Sequence, residues 1–314
     1  MKTPNANMSS YYKEGDSAGS YKVIKALMAV FAWLGLYYGF FYIGRQVSFA
    51  NYFRGPSMAL VLSAVVCSLA TIGVLSFLVQ RKFTGLTLPC LLIICIAADV
   101  ALNHSIIFYQ AEKPDVESIS TPEKEKRDYS GNDALLHHLA AINLSLLGIA
   151  LCGGLLVSGS IKKTSYLIPL SVIAGIADCW SVFAGVTKQI AASRVATNYV
   201  LVNFPVSGQG IQPLIGAVDF LFSAMYLDLS RRFNLSMKRT ILVLITSFLA
   251  SIILATFIGT GLPVLPVMAV LFITAHYDRI RIVDPREKRE AVIGTTIVVG
   301  ILTAASFLLK LFGH

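Results

Sequence analysis

Nine apolar runs divide this chain, near residues 23–43, 57–79, 84–109, 135–158, 164–187, 212–229, 240–259, 262–276 and 291–311, with polar stretches between them. Most approach the roughly 20 residues that an α-helix needs to cross about 30 Å of hydrocarbon. The pattern therefore predicts nine transmembrane helices. The eighth is the shortest, and it opens on Pro263 and Pro266 just after Gly261, which predicts a turn running into a helix. The first 22 residues are polar and rich in Ser, Asn, Lys and Tyr. Bulky aromatics continue to Tyr42 with no small-residue cleavage site, so the first run reads as a retained membrane helix and not a signal peptide.

Two connections differ in character. Residues 111–133 carry Pro, Ser, Glu and Lys with almost no large apolar side chains, as expected of an external loop. Residues 188–211 contain Asn198-Tyr-Val-Leu-Val-Asn-Phe-Pro-Val206, closed by Ser207-Gly-Gln-Gly210. That β-branched and aromatic run predicts a short strand or hairpin at the membrane edge. An interfacial loop anchored by Tyr199 and Phe204 is the alternative.

Composition agrees with the pattern. The chain of 314 residues is 55% hydrophobic and 14% charged, with a mean hydropathy of +0.70. Such values belong to an all-α polytopic membrane protein whose solvent is the lipid bilayer. The net charge of +9 does not call for nucleic acid, because the basic residues flank apolar runs instead of forming a patch. Sorted between alternate loops, seventeen Lys and Arg fall on the side of the N-terminal tail and nine on the other. The excess predicts a cytoplasmic N-terminus. All five cysteines lie in apolar segments without metal-ligand spacing, and no phosphate loop, metal cluster or nucleophile elbow appears. No metal and no cofactor is expected.

Against this background two carboxylates stand out. Asp178 lies in the fifth apolar run and Asp219 in the sixth. An ionisable group within hydrocarbon costs about 3 kcal/mol or more, which makes it a functional candidate with its partner to be named. With the deduced topology, each aspartate sits roughly 10–12 Å below the outer boundary at about 1.5 Å per residue. The two helices are consecutive and antiparallel, so side-by-side packing would bring the carboxyl groups face to face. Such a pair shares one proton. It can hydrolyse a peptide bond by activating water with one carboxylate while the other protonates the carbonyl oxygen. The turn at Gly261-Leu-Pro-Val-Leu-Pro266 falls on the same side, and non-helical backbone at that depth must be buried or line a wet cavity.

The order of these features resembles the presenilin and signal peptide peptidase class of intramembrane aspartyl proteases. Asp178 stands where that family has Tyr-Asp, Gly216-Ala-Val-Asp219 where it has Gly-x-Gly-Asp, and Pro263-Val264-Leu265, followed by Pro266, where it has Pro-Ala-Leu. Asp178-Cys-Trp-Ser-Val-Phe183 with Thr187-Lys188 is similar to a segment of archaeal presenilin homologues. The resemblance covers roughly residues 164–276. It departs from the family at Ala177, Val218 and Val264, and in having four preceding helices and one more after the proline motif.

The resemblance implies a presenilin-like core with catalytic Asp178 and Asp219 and an active-site motif of Gly216, Val218, Pro263, Val264, Leu265 and Pro266. The substrates would be transmembrane-helix proteins or signal peptides, with any accessory subunit unidentified. An unwound substrate segment would add as a strand beside the extended run at Tyr199, Val200, Leu201 and Val202, or beside the Pro263 turn. On this reading the chain divides into a tail at 1–22, four helices in 23–160, the catalytic core at 161–276, and a basic loop with the last helix at 277–314. A proton- or cation-coupled transporter using the same carboxylates and an inactive member of the family are the alternatives.

Overall fold

A computed structural model describes residues 9–46, 56–80, 87–111, 133–183, 185, 193–206, 210–258, 263–280 and 285–312. The expectations for the loop 111–133, for Thr187 and Lys188 and for Gly261 fall outside these residues. Among them the chain is almost entirely helical. In order come α1 (Ser9–Gln46), α2 (Pro56–Val79), α3 (Thr87–Ala111), α4 (Asp133–Ser160), a 3-10 turn (Thr164–Tyr166) and α5 (Leu167–Phe183). A short α6 (Arg194–Val200) leads into β1 (Leu201–Val206) and β2 (Gly210–Gly216). The chain then continues through α7 (Ala217–Arg232), α8 (Met237–Ile258), α9 (Val264–Ile280) and α10 (Pro285–Phe312).

Every apolar run seen in the sequence contains a helix. Six helices among the described residues are long and apolar enough to cross a membrane, which fits a multi-pass membrane protein. They are α1 to α5, with α5 counted from its 3-10 turn, and α8. The α7 helix has 16 residues and carries Asp219, Asp228, Arg231 and Arg232, and α9 has 17 residues, so neither meets that standard.

The sixth run is not helical from residue 212 as predicted. Its first part is β2, paired antiparallel with β1 from Leu201 opposite Gly216 to Val206 opposite Gly210, with an irregularity between Val202 and Asn203. Pro213 explains the late start of the helix, since it holds the residue before it extended, and Gly216 then caps α7 with extended backbone. The expected strand is thus a hairpin, but it begins three residues later than expected. Tyr199 and Val200 belong to α6, which starts where the Ser193 side chain accepts the amide of Ala196.

Helix pairing follows the glycines. A Cβ at Gly154 of α4 would lie 2.5 Å from the backbone oxygen of Leu221 and 2.9 Å from the amide nitrogen of Met225, so α4 and α7 meet backbone to backbone. At Gly175 of α5 a Cβ would lie 3.2 Å from Cα of Pro266, which sets α5 close against α9. These contacts correct the expectation that the two aspartate helices lie side by side. The broad interfaces of α7 are with α4 and α2, and those of α5 are with α9 and α10.

The α7–α8 connection is a tight hairpin. Asn234 has a φ of 52°, Leu235 N–H bonds the carbonyl of Ser230, and Asn234 N–H bonds that of Arg231, the Schellman closure of a helix end. Aromatic rings line the interior from the sheet inward, with Phe204 edge-on to Phe220, Phe220 stacked on Phe248, and Tyr226 against Phe272.

Candidate functional site

Asp178 and Asp219 reach one site without a broad interface between their helices. The link is a buried hydrogen bond of 2.7 Å from the Tyr226 hydroxyl on α7 to the Ser171 hydroxyl on α5. Seven residues separate Ser171 from Asp178, and seven separate Asp219 from Tyr226. Seven residues make nearly two full turns and about 10 Å of rise, so each aspartate shares the face of its own linking residue. The helices run in opposite directions, and counting outward from the Ser171–Tyr226 bond brings both carboxyl groups to one level. Asp219 lies within Coulombic range of Asp178.

Each carboxylate is held by the start of a helix. Asp178 Oδ2 accepts the amide of Leu265 at 3.0 Å, and the amide of Val264 also faces it. The prolines explain why this cap comes from another helix. Pro263 and Pro266 have no N–H, so Val264 and Leu265 supply the free donors of the first turn of α9, and both turn to Asp178. Of the motif residues, Val264 and Leu265 are therefore brought to Asp178, while Pro266 packs against Gly175 of α5.

Asp219 occupies the third position of α7, and its carboxylate reaches back to the amide of Gly216, which is the returning half of a capping box. A Cβ at Gly216 would stand 3.1 Å from Asp219 Oδ2. The glycine that this approach needs is Gly216. Val218 is 48% exposed and directs its side chain out of the packed interior.

Leu201 and Val202 pair with Gly216 and Ile215 at the end of the hairpin nearest Asp219. Tyr199 and Val200, in α6, do not extend that strand. Beside the irregularity, the Asn143 side chain of α4 accepts the amide of Asn203 at 2.8 Å and donates to its carbonyl. A side-chain amide thus stands in for a neighbouring strand along β1, and Asn143 also donates to the Tyr37 hydroxyl at 3.2 Å. Nothing in the sequence marks Asn143 beyond a polar residue in an apolar run.

The two fully buried acids among the described residues, Asp99 and Asp228, are accounted for by packing. Asp99 accepts the Ser145 hydroxyl at 2.9 Å between α3 and α4. Asp228 pairs with Arg231 at 2.8 Å and accepts from Ser158, while Arg231 also donates to the carbonyl of Val79 at the end of α2. Among the described residues, no group of three or more His, Cys, Asp or Glu side chains is arranged to hold a metal.

Two carboxyl groups level with each other, each oriented by backbone amides, can share a proton and act on one bound molecule as base and acid. The same amide contacts also close helix ends, so each aspartate has a structural role as well. The chain matches no family model, no curated protein and no solved structure at a significant level. A functional reading therefore rests on this geometry.

Proposed function

We propose that the protein is an intramembrane aspartyl protease of the presenilin and signal peptide peptidase kind, cutting transmembrane helices or signal peptides with Asp178 and Asp219. The observation that carries the reading is the common level of the two carboxyl groups, reached by equal counts from the Ser171–Tyr226 bond. The turn at Pro263 and Pro266 supports it, because its free amides orient Asp178 instead of extending a helix.

In this reaction one carboxylate takes a proton from water as the oxygen attacks the peptide carbonyl. The other gives a proton to the carbonyl oxygen, forming a tetrahedral diol that then releases amine and acid. A peptide bond inside a helix must first lose its helical hydrogen bonds, so the substrate has to unwind. β2 pairs with β1 and its C-terminal end, Gly216, runs straight into α7 and Asp219, so a strand added to this hairpin would lie beside the carboxylates. Recognition would then depend on backbone more than on side chains. We further propose nine spans with the N-terminus cytoplasmic, from the distribution of Lys and Arg.

The test is cleavage of a co-expressed single-helix reporter by the parent protein and by Asp178→Asn and Asp219→Asn, with ion-dependent uptake measured in parallel. The proposal expects cleavage by the parent and none by either variant. Absence of cleavage in the parent, or its survival in a variant, overturns the reading. Uptake that collapses with the same substitutions would replace it with ion-coupled transport.

A further inference from the structure

Ser251 of α8 is 3% exposed, and its hydroxyl is the one buried side-chain polar atom among the described residues without a hydrogen-bond partner. Serine in a membrane helix ordinarily bonds the carbonyl one turn back. Ser247 does so, donating to Val243 at 2.7 Å. An unpartnered hydroxyl in an apolar interior costs about 1–3 kcal/mol, so its direction calls for an explanation.

The direction can be read from the inner end of the same helix. There Thr240 lies within 2.7 Å of the Ser230 hydroxyl on α7 and 3.0 Å of Nε2 of His276 on α9. Its face of α8 is therefore the one between α7 and α9. Eleven residues separate Thr240 from Ser251, Ser230 from Asp219, and His276 from Leu265. Eleven residues are three turns to within about 20°, a rise of about 16 Å. α8 runs opposite to both neighbours, so three turns outward from Thr240 meet three turns back along α7 and α9. The Phe220–Phe248 stack, with ring centres 5.3 Å apart, keeps α7 and α8 within two residues of that register. Ser251 thus faces the level of Asp219 and of Leu265, whose amide holds Asp178.

We propose that the Ser251 hydroxyl is a third polar group of this site and donates a hydrogen bond to a backbone carbonyl of the unwound substrate beside Asp219. The inference rests on the protease reading and names a substrate contact within it. An unwound segment brings carbonyls that have lost their helical partners, and Ser251 is a buried donor without an acceptor. The two deficits match.

The experiment uses the full-length protein in liposomes with the single-helix reporter, comparing parent, Ser251→Ala and Ser251→Thr for kcat, KM and melting temperature. Ser251→Ala should lower kcat/KM about 10-fold, the loss of one hydrogen bond. Its melting temperature without substrate should stay equal or rise, because an unsatisfied buried hydroxyl is gone. Ser251→Thr, which keeps the hydroxyl, should recover most of the activity. A Ser251→Ala protein with parental kcat/KM, or one that loses activity and melting temperature together, overturns the inference while leaving the protease reading intact.

If the parent does not cleave, the protease reading fails, and thiol labelling decides the rest. Ser251→Cys, placed where the five native cysteines are replaced by alanine, is treated with a water-soluble methanethiosulfonate. Labelling keeps Ser251 in a wet polar site. No labelling places it in dry packing and removes the inference as well.

Discussion

Gly216 and Val218 flank the approach to Asp219, and replacing each separates two accounts of how that carboxylate is positioned. Gly216 has φ −64° and ψ 136°, which alanine adopts without strain, so Gly216→Ala perturbs the site only through its new Cβ. That atom would stand 3.1 Å from Asp219 Oδ2, and ordinary contact begins at 3.4 Å. The carboxyl must retreat by about 0.3 Å; with about 100-fold lost per 1 Å of misplacement, cleavage should fall roughly 4-fold. Val218→Gly removes a side chain that points out of the interior. It should cost about 0.5–1 kcal/mol of helix stability and change turnover less than about 2-fold. The assay is reporter cleavage in liposomes together with thermal unfolding of each variant. If Val218→Gly raises cleavage several-fold while Gly216→Ala leaves it unchanged, the geometric account of Asp219 is refuted.

Three further substitutions test the scaffold. Gly154→Ala drives a Cβ into the backbone of Leu221 and Met225, and the overpacking should lower stability by about 1–3 kcal/mol in a detergent melt. Asn143→Ala leaves the amide and carbonyl of Asn203 without their buried partner, about 2–6 kcal/mol together, so hydrogen exchange at the hairpin should accelerate before the helices melt. Tyr226→Phe removes the 2.7 Å bond to Ser171; it should cost about 1 kcal/mol and lower cleavage by loosening the level at which the two aspartates meet. An unchanged melt for Gly154→Ala, unchanged exchange for Asn143→Ala or unchanged cleavage for Tyr226→Phe would each contradict its assignment.

Much of the fold could be read from the chain because the lipid solvent demands long apolar runs, and each of the nine runs does hold a helix. The start of α7 could not be read this way. Ile211-Gln-Pro-Leu-Ile215 is as apolar as a helix and as extended as a strand, and only Pro213 and Gly216 hint at which wins. Helix neighbours are not legible in the chain for a different reason. Consecutive antiparallel helices pair when nothing intervenes, but Gly154 and Gly175 give α4–α7 and α5–α9 closer packing than α5 has with α7. The topology count and the count from the Ser171–Tyr226 bond both rest on the constant rise per residue of a helix. Their helix-capping contacts, the clasp by Asn143 and the unpartnered Ser251 depend on which face each helix turns inward, and a run apolar on every side does not reveal that.

If Asp178 and Asp219 together hydrolyse a peptide bond within a membrane helix, the new carboxyl terminus takes one oxygen from water. The most direct measurement is mass spectrometry of a single-helix reporter incubated with the purified protein in water enriched in heavy oxygen. Cleavage is expected inside the helix with one heavy oxygen in the new carboxyl terminus, and no such product from Asp178→Asn or Asp219→Asn. An intact reporter with the parent protein, or the same labelled product from either variant, would contradict it.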